Sequence, residues 1–127
     1  MRILIVEDDF ASRKFMMNFM SAYGDCDGTV DGMEAVEAYM MALEDEQPYD
    51  LICLDVMMPV MDGYEATAEI RKVSSNVPII AVTAYAFAQD EQRIIKSGFD
   101  AYTAKPINGK VLKDKISTLL THRIILM

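Results

Sequence analysis

The sequence predicts an α/β fold, a doubly wound sheet of five parallel strands with helices on both faces. Two observations predict it. Short runs that are apolar at nearly every position alternate with longer stretches at helical spacing, five times over. The runs lack the in-out alternation of a sheet with one wet face, so both faces of the strands are covered. Right-handed crossovers then place helices on either side. The chain has 127 residues, which suits a single domain over 1–127.

Each element has its own signal. Ile3-Leu4-Ile5-Val6 is continuously apolar and ends in Glu7-Asp8-Asp9, so it reads as a buried strand. Residues 10–23 form a helix with Phe15, Met16, Phe19, Met20 and Tyr23 at helical spacing, stopped by Gly24. A short, weaker strand is expected at 26–29. Asp31 caps the next helix, whose expected inner face is Val36, Tyr39, Met40 and Leu43, and Gln47-Pro48 breaks it. Residues 49–54 are again apolar and end in Asp55, and a loop spans 58–63. Helix 64–73 spaces Ala66, Ile70 and Val73, and strand 78–82 ends in Thr83. Helix 87–97 is stopped by Gly98, and strand 99–103 ends just before Lys105-Pro106. Asn108 caps the last helix, which presents Leu112, Ile116, Leu119 and Leu120.

Composition narrows the function. The net charge of −8 repels nucleic-acid phosphates, so no nucleic acid is expected as a partner. Arg13-Lys14, Arg71-Lys72 and Lys110/Lys113/Lys115 are small, separate groups that read as solvated surface. Cys53 lies inside an apolar run and reads as a small buried hydrophobe, and two distant cysteines with one histidine make no zinc site. The apolar N-terminal run is too short for a signal peptide or a membrane span, so a cytoplasmic protein with no membrane partner is expected.

In a doubly wound sheet, ligands bind beyond the carboxyl ends of the strands. The residues at those ends are Glu7-Asp8-Asp9, Asp55, Thr83-Ala84 and Lys105-Pro106. Singly, each has an ordinary reading: a solvated acid, a helix cap at Asp9, a strand threonine, a surface lysine. Together they bring carboxylates, a hydroxyl and an ammonium to one edge. Clustered carboxylates raise each other's pKa. A hard divalent cation removes the repulsion, and few carboxylates with waters suit Mg²⁺. Metal and lysine together screen a phosphoryl dianion, so that a carboxylate can attack it and form an acyl phosphate.

Four stretches carry a resemblance: Ile3-Leu4-Ile5-Val6-Glu7-Asp8-Asp9, Leu54-Asp55-Val56-Met57-Met58-Pro59-Val60-Met61-Asp62-Gly63-Tyr64-Glu65, Ala81-Val82-Thr83-Ala84 and Tyr102-Thr103-Ala104-Lys105-Pro106. In this order they resemble the receiver domain of response regulators in two-component signalling, of the chemotaxis type. The resemblance implies a flavodoxin-like sheet of order 2-1-3-4-5. It implies that Asp55 is the phosphoacceptor. Asp8 would bind Mg²⁺ directly, Glu7 through water, and the Met57 carbonyl would complete the protein ligands. Glu7 departs from the Asp that many members carry. Thr83 and Lys105 match the phosphate-contacting residues, Lys105-Pro106 the family's cis peptide, and Tyr102 the aromatic switch. Met57 and Tyr85 match the positions that flank the path of hydrolytic water, and their side chains suggest a slowly decaying phosphoryl group.

The implied function is a phosphorylation-activated switch, not an enzyme, within a phosphorelay. A histidine kinase or histidine phosphotransfer protein would dock near residues 10–17 and the loop after Lys105. A separate output protein would read 87–97, 99–103 and 108–120. The chain is expected to stand alone, as monomer or weak dimer, or to be part of a longer regulator; its apolar tail 123–127 leaves this open. One alternative belongs to another class. Asp25-Cys26-Asp27-Gly28-Thr29 spells the nucleophile motif of haloacid-dehalogenase-like phosphatases, in which Asp25 would attack phosphorus with Mg²⁺. That chemistry needs Asp25 at the end of a buried apolar strand, whereas residues 20–24 read as a helix end.

Overall fold

A computed structural model of the chain describes residues 1–84 and 88–126. The elements run β1 (Arg2–Val6), α1 (Phe10–Met20), β2 (Asp25–Thr29), α2 (Gly32–Glu44), β3 (Leu51–Asp55), α3 (Gly63–Arg71), β4 (Ile79–Thr83), α4 (Ala88–Lys96), β5 (Ala101–Ala104) and α5 (Gly109–Leu126). The strands form one parallel sheet in the order β2-β1-β3-β4-β5, as the resemblance implied. Tyr85, the helix start expected at Phe87 and the side chains of the apolar tail lie outside the described residues.

Strand alternation divides the core into two layers. Leu4, Val6, Ile52, Leu54, Ile79 and Ala81 pack against Ala35, Tyr39, Ala42, Ala66, Ile70 and Ile94 of α2, α3 and α4. Ile3, Ile5, Leu51, Cys53, Ile80 and Val82 face Met16 and Met20 of α1 and Leu112 and Ile116 of α5. Both faces of β1, β3 and β4 are therefore apolar, which is why these strands read as unbroken hydrophobic runs. Cys53 is buried, and burial pushes its thiol up to about 12, so it behaves as the small hydrophobe the sequence suggested.

The helix faces depart from the expected ones. In α1 only Met16 and Met20 are buried; Phe15 is 47% exposed and stacks on Phe19, which in turn meets Tyr23. The helix lies across the edge of the sheet, so its apolar side is wider than the surface it covers. It ends at Met20, three residues short of the expected end. In α2 the buried face is Gly32, Ala35, Tyr39 and Ala42, and Leu43 is exposed. Small residues let α2 approach the sheet closely, which rotates Leu43 outward. Val73 falls beyond the end of α3 and is exposed. Asp31, Asp62 and Asn108 cap as hydrogen-bond acceptors for backbone N–H groups, and at Asp62 a capping box with Glu65 is complete.

Arg71, read from sequence as solvated, is a clamp. Its Nε and Nη2 donate to the Gly98 carbonyl at 3.0 and 2.8 Å, and its Nη1 donates to the Val77 carbonyl at 2.7 Å. Nη2 also pairs with Asp100 at 2.8 Å, and the same carboxylate oxygen accepts the Ile79 N–H. Gly98 turns the chain there with φ of +103°, a conformation that suits glycine. The clamp sits at the amino ends of β4 and β5, opposite the candidate site.

Candidate functional site

The site is built where the strands end. Val6 pairs with Leu54, so Glu7 and Asp55 emerge side by side from adjacent strands. Backbone bonds continue past the strands: Glu7 N–H to Thr29, Val56 N–H to Val82, Lys105 N–H to Thr83, each at 2.8–3.0 Å. Gly63 brings α3 against the end of β3. A Cβ there would lie 2.6 Å from the Asp55 carbonyl oxygen, so no other residue fits without displacing the strand. Val60, in the loop between them, has φ of +68°, an unfavourable conformation for a β-branched residue.

These ends bring together most of the predicted residues. The Lys105 ammonium donates to Glu7 Oε1 at 2.8 Å and to Asp55 Oδ2 at 2.9 Å. The Met57 N–H donates to Asp55 Oδ1 at 3.1 Å. Carboxylate oxygens of Glu7, Asp8 and Asp55 lie within 4.8 Å of one another. Glu7 and Asp55 are each 4% exposed, whereas Asp8 opens to solvent. The peptide between Lys105 and Pro106 is cis, as implied. Thr83 is buried at the end of β4, and Asp9 caps α1 by accepting from the Ser12 N–H. Met57 is 59% exposed. Tyr102 is half-buried on β5, with the Lys115 ammonium 5.3 Å from its ring centre.

The electrostatics are unbalanced toward negative charge. Burial, then the hydrogen bond with Asp55, push the Glu7 carboxyl up to about 8 against the pull of Lys105. For Lys105, burial disfavours the ammonium, but the hydrogen bonds to Glu7 and Asp55 outweigh it and its pKa rises. One lysine bonds two of the three carboxyl groups, and Glu7 Oε2 is buried with no hydrogen-bond partner among the described residues. A hard cation among these oxygens answers both facts, so the donor set fits Mg²⁺.

Asp25 lies elsewhere. It starts β2, at the opposite end of the sheet from Asp55, and it is exposed. Asp27 accepts from the Tyr49 hydroxyl and pairs with Arg2. The strand after Asp25 is mostly exposed, so the setting that a phosphatase nucleophile needs is missing at this motif. Sequence reasoning also missed Arg13, which it placed on the solvated surface. Arg13 Nη1 donates to the Glu7 carbonyl at 2.9 Å. Its acceptor is backbone, so no side-chain pattern announced it.

Beside Lys105 a groove of about 620 Å³ is lined by Ala11, Ser12, Phe15, Pro106 and Ile107. Among the described residues no helix is long and apolar enough to cross a membrane.

Comparison with known proteins agrees with this geometry. The family described as response regulator receiver domain matches residues 3–117. Hybrid signal transduction histidine kinase I of Dictyostelium discoideum is 36% identical over 97% of this chain, which spans only 7% of that protein. The two-component response regulator ORR41 of rice is 37% identical, with 94% of this chain and 91% of that protein covered. Among solved structures, the receiver domain of a Pseudomonas aeruginosa sensor histidine kinase superposes with a TM-score of 0.82 at 32% identity, covering 94% and 97% of the two chains. That structure holds a magnesium ion coordinated in its active-site cleft.

Proposed function

Since the chain belongs to the response-regulator receiver domain family, we propose that it is a signalling switch that accepts a phosphoryl group on Asp55 from a histidine kinase or histidine phosphotransfer protein. The observation that carries this is the Lys105 ammonium shared by Asp55 and Glu7 inside a cluster of three carboxylates. Glu7, Asp8, Asp55 and the Met57 carbonyl would hold Mg²⁺, which when bound supplies charge neutralisation for the phosphoryl oxygens. Asp55 is the nucleophile: its carboxylate oxygen bonds to phosphorus as the nitrogen–phosphorus bond of the donor histidine breaks. Lys105 then moves its hydrogen bond from the carboxylate to a phosphoryl oxygen, and Thr83 donates to another. Ala84, small and exposed, leaves the approach open.

The donor docks over α1 and the Lys105–Ile107 loop, whose groove is lined by Lys105, the residue that bonds the acceptor. Binding of the phosphoryl group by Thr83 shifts Tyr102 and so changes the face formed by α4, β5 and α5, which a separate output protein reads. The chain acts as an acceptor that assists its own phosphorylation and slow dephosphorylation, not as a turnover enzyme. Its place is the cytoplasm, as a monomer or weak dimer.

The test is intact-mass spectrometry after incubation with acetyl phosphate and Mg²⁺. Wild type is expected to gain one phosphoryl group, and Asp55→Asn none, with its fold intact. A phosphoryl group retained on the variant overturns the assignment, and one mapped to Asp25 restores the phosphatase reading.

A further inference from the structure

Arg13 takes no part in the chemistry above, yet it touches the backbone of the acidic pair. Its Nη1 donates to the Glu7 carbonyl at 2.9 Å and lies 3.5 Å from the Asp8 carbonyl. The Asp9 side chain accepts from the Ser12 N–H at 2.8 Å, and the Arg13 N–H donates to the Asp9 carbonyl at 2.9 Å. Residues 7–9 are thereby tied to the first turns of α1 by both backbone and side chains. The arginine stem crosses the edge strand over Gly28, where an added Cβ would come 3.5 Å from its Cδ.

Asp8 needs such an anchor. Its carboxylate is exposed, and among the described residues no donor holds it. Its place in the pocket follows from its backbone alone. Both carbonyls face one nitrogen, Nη1, whose two N–H groups are held in the plane of the guanidinium; a lysine ammonium carries its donors on a more flexible stem and is not held in that orientation.

We propose that Arg13 is a positioning residue for the metal site: by holding the Glu7 and Asp8 carbonyls it fixes where the Asp8 carboxylate is presented to Mg²⁺. The proposal rests on the Mg²⁺ reading above. Its rival is a pure charge effect of opposite sign, because a cation near the pocket repels Mg²⁺ and its loss would tighten binding. Positioning is favoured by the geometry, in which the guanidinium points at backbone acceptors rather than at the carboxylates.

The experiment is Mg²⁺ titration of the metal-free proteins followed by amide chemical shifts, on wild type, Arg13→Met and Arg13→Lys. Wild type is expected to saturate. Arg13→Met is expected to bind on the order of tenfold more weakly, the usual cost of losing a group that orients a metal ligand. Arg13→Lys keeps the charge but loses the planar nitrogen that faces both carbonyls, and falls between the two. Affinity in Arg13→Met equal to or tighter than wild type overturns the proposal. Should that variant fail to fold, wild-type affinity in Arg13→Lys overturns it equally, and weaker affinity there supports it. A wild type that shows no saturable shift removes the Mg²⁺ reading itself and this proposal with it, a result distinct from the others.

Discussion

Glu7→Gln is expected to remove most of the pH dependence of stability of the metal-free protein between mildly acidic and mildly alkaline conditions. In the folded chain Glu7 titrates at about 8, against an ordinary value of 4.5. Between these values the folded state keeps a proton that the unfolded state has released. Stability from this group is therefore fully present below the lower value and lost as pH rises through the upper one. One proton corresponds to a slope of about 1.4 kcal/mol per pH unit, so going from about pH 6 to about pH 7.5 costs about 2 kcal/mol. The proton belongs to the Glu7–Asp55 pair, because each carboxyl acts on the titration of its neighbour across Lys105. Lys105 has the same sign, but its raised value lies above 10.5, outside the window. Asp9 is lowered below 3.8, so its stabilisation is lost only as pH falls further. Urea unfolding by circular dichroism, in chelator and at several pH values, measures the slopes. Wild type should lose stability steadily as pH rises, while Glu7→Gln follows a flatter line and becomes the more stable at the alkaline end. Parallel lines, or a wild type that gains stability with pH, refute the reasoning.

Three further outcomes follow from the same geometry. Mg²⁺ should raise the melting temperature with concentration, more at pH 8 than at about pH 6, and Asp8→Ala should blunt the rise; a flat melting temperature in wild type counts against the pocket. Replacing Met57 by Asn together with Tyr85 by Glu should speed loss of the phosphoryl group severalfold, since a thioether orients water poorly; unchanged decay means these side chains do not set the lifetime. Asp62→Ala breaks the capping box of α3 and should cost about 1 kcal/mol in urea unfolding without changing the number of phosphoryl groups accepted.

The strands were legible because β1, β3 and β4 are covered on both faces, so their sequences carry no polar interruption until the site begins. Edge strand β2 gave a weak signal for the converse reason: Asp25, Asp27 and Gly28 are exposed. Helix faces were read less well. Periodicity shows which residues share a side, but Phe15 and Leu43 show that it does not say how much of that side the sheet covers. Glu7, Asp8, Asp55 and Lys105 were found because they stand at strand ends, where topology brings distant residues together. Arg13 and Arg71 were not found, because most of their partners are carbonyl oxygens that every sequence possesses, and the one acid beside Arg71, Asp100, lies 29 residues away.

The Arg71 clamp divides the molecule mechanically. One guanidinium rivets the turn after α3 and the turn after α4 to a single point, through Val77, Gly98 and Asp100. Helix α4 therefore joins the body of the protein at a fixed point beyond its carboxyl end. Under the proposed switch, any displacement that reached α4 from the site would be smallest at Ser97 and would grow with distance from that pivot, and a partner reading the helix far from the clamp would feel the largest stroke.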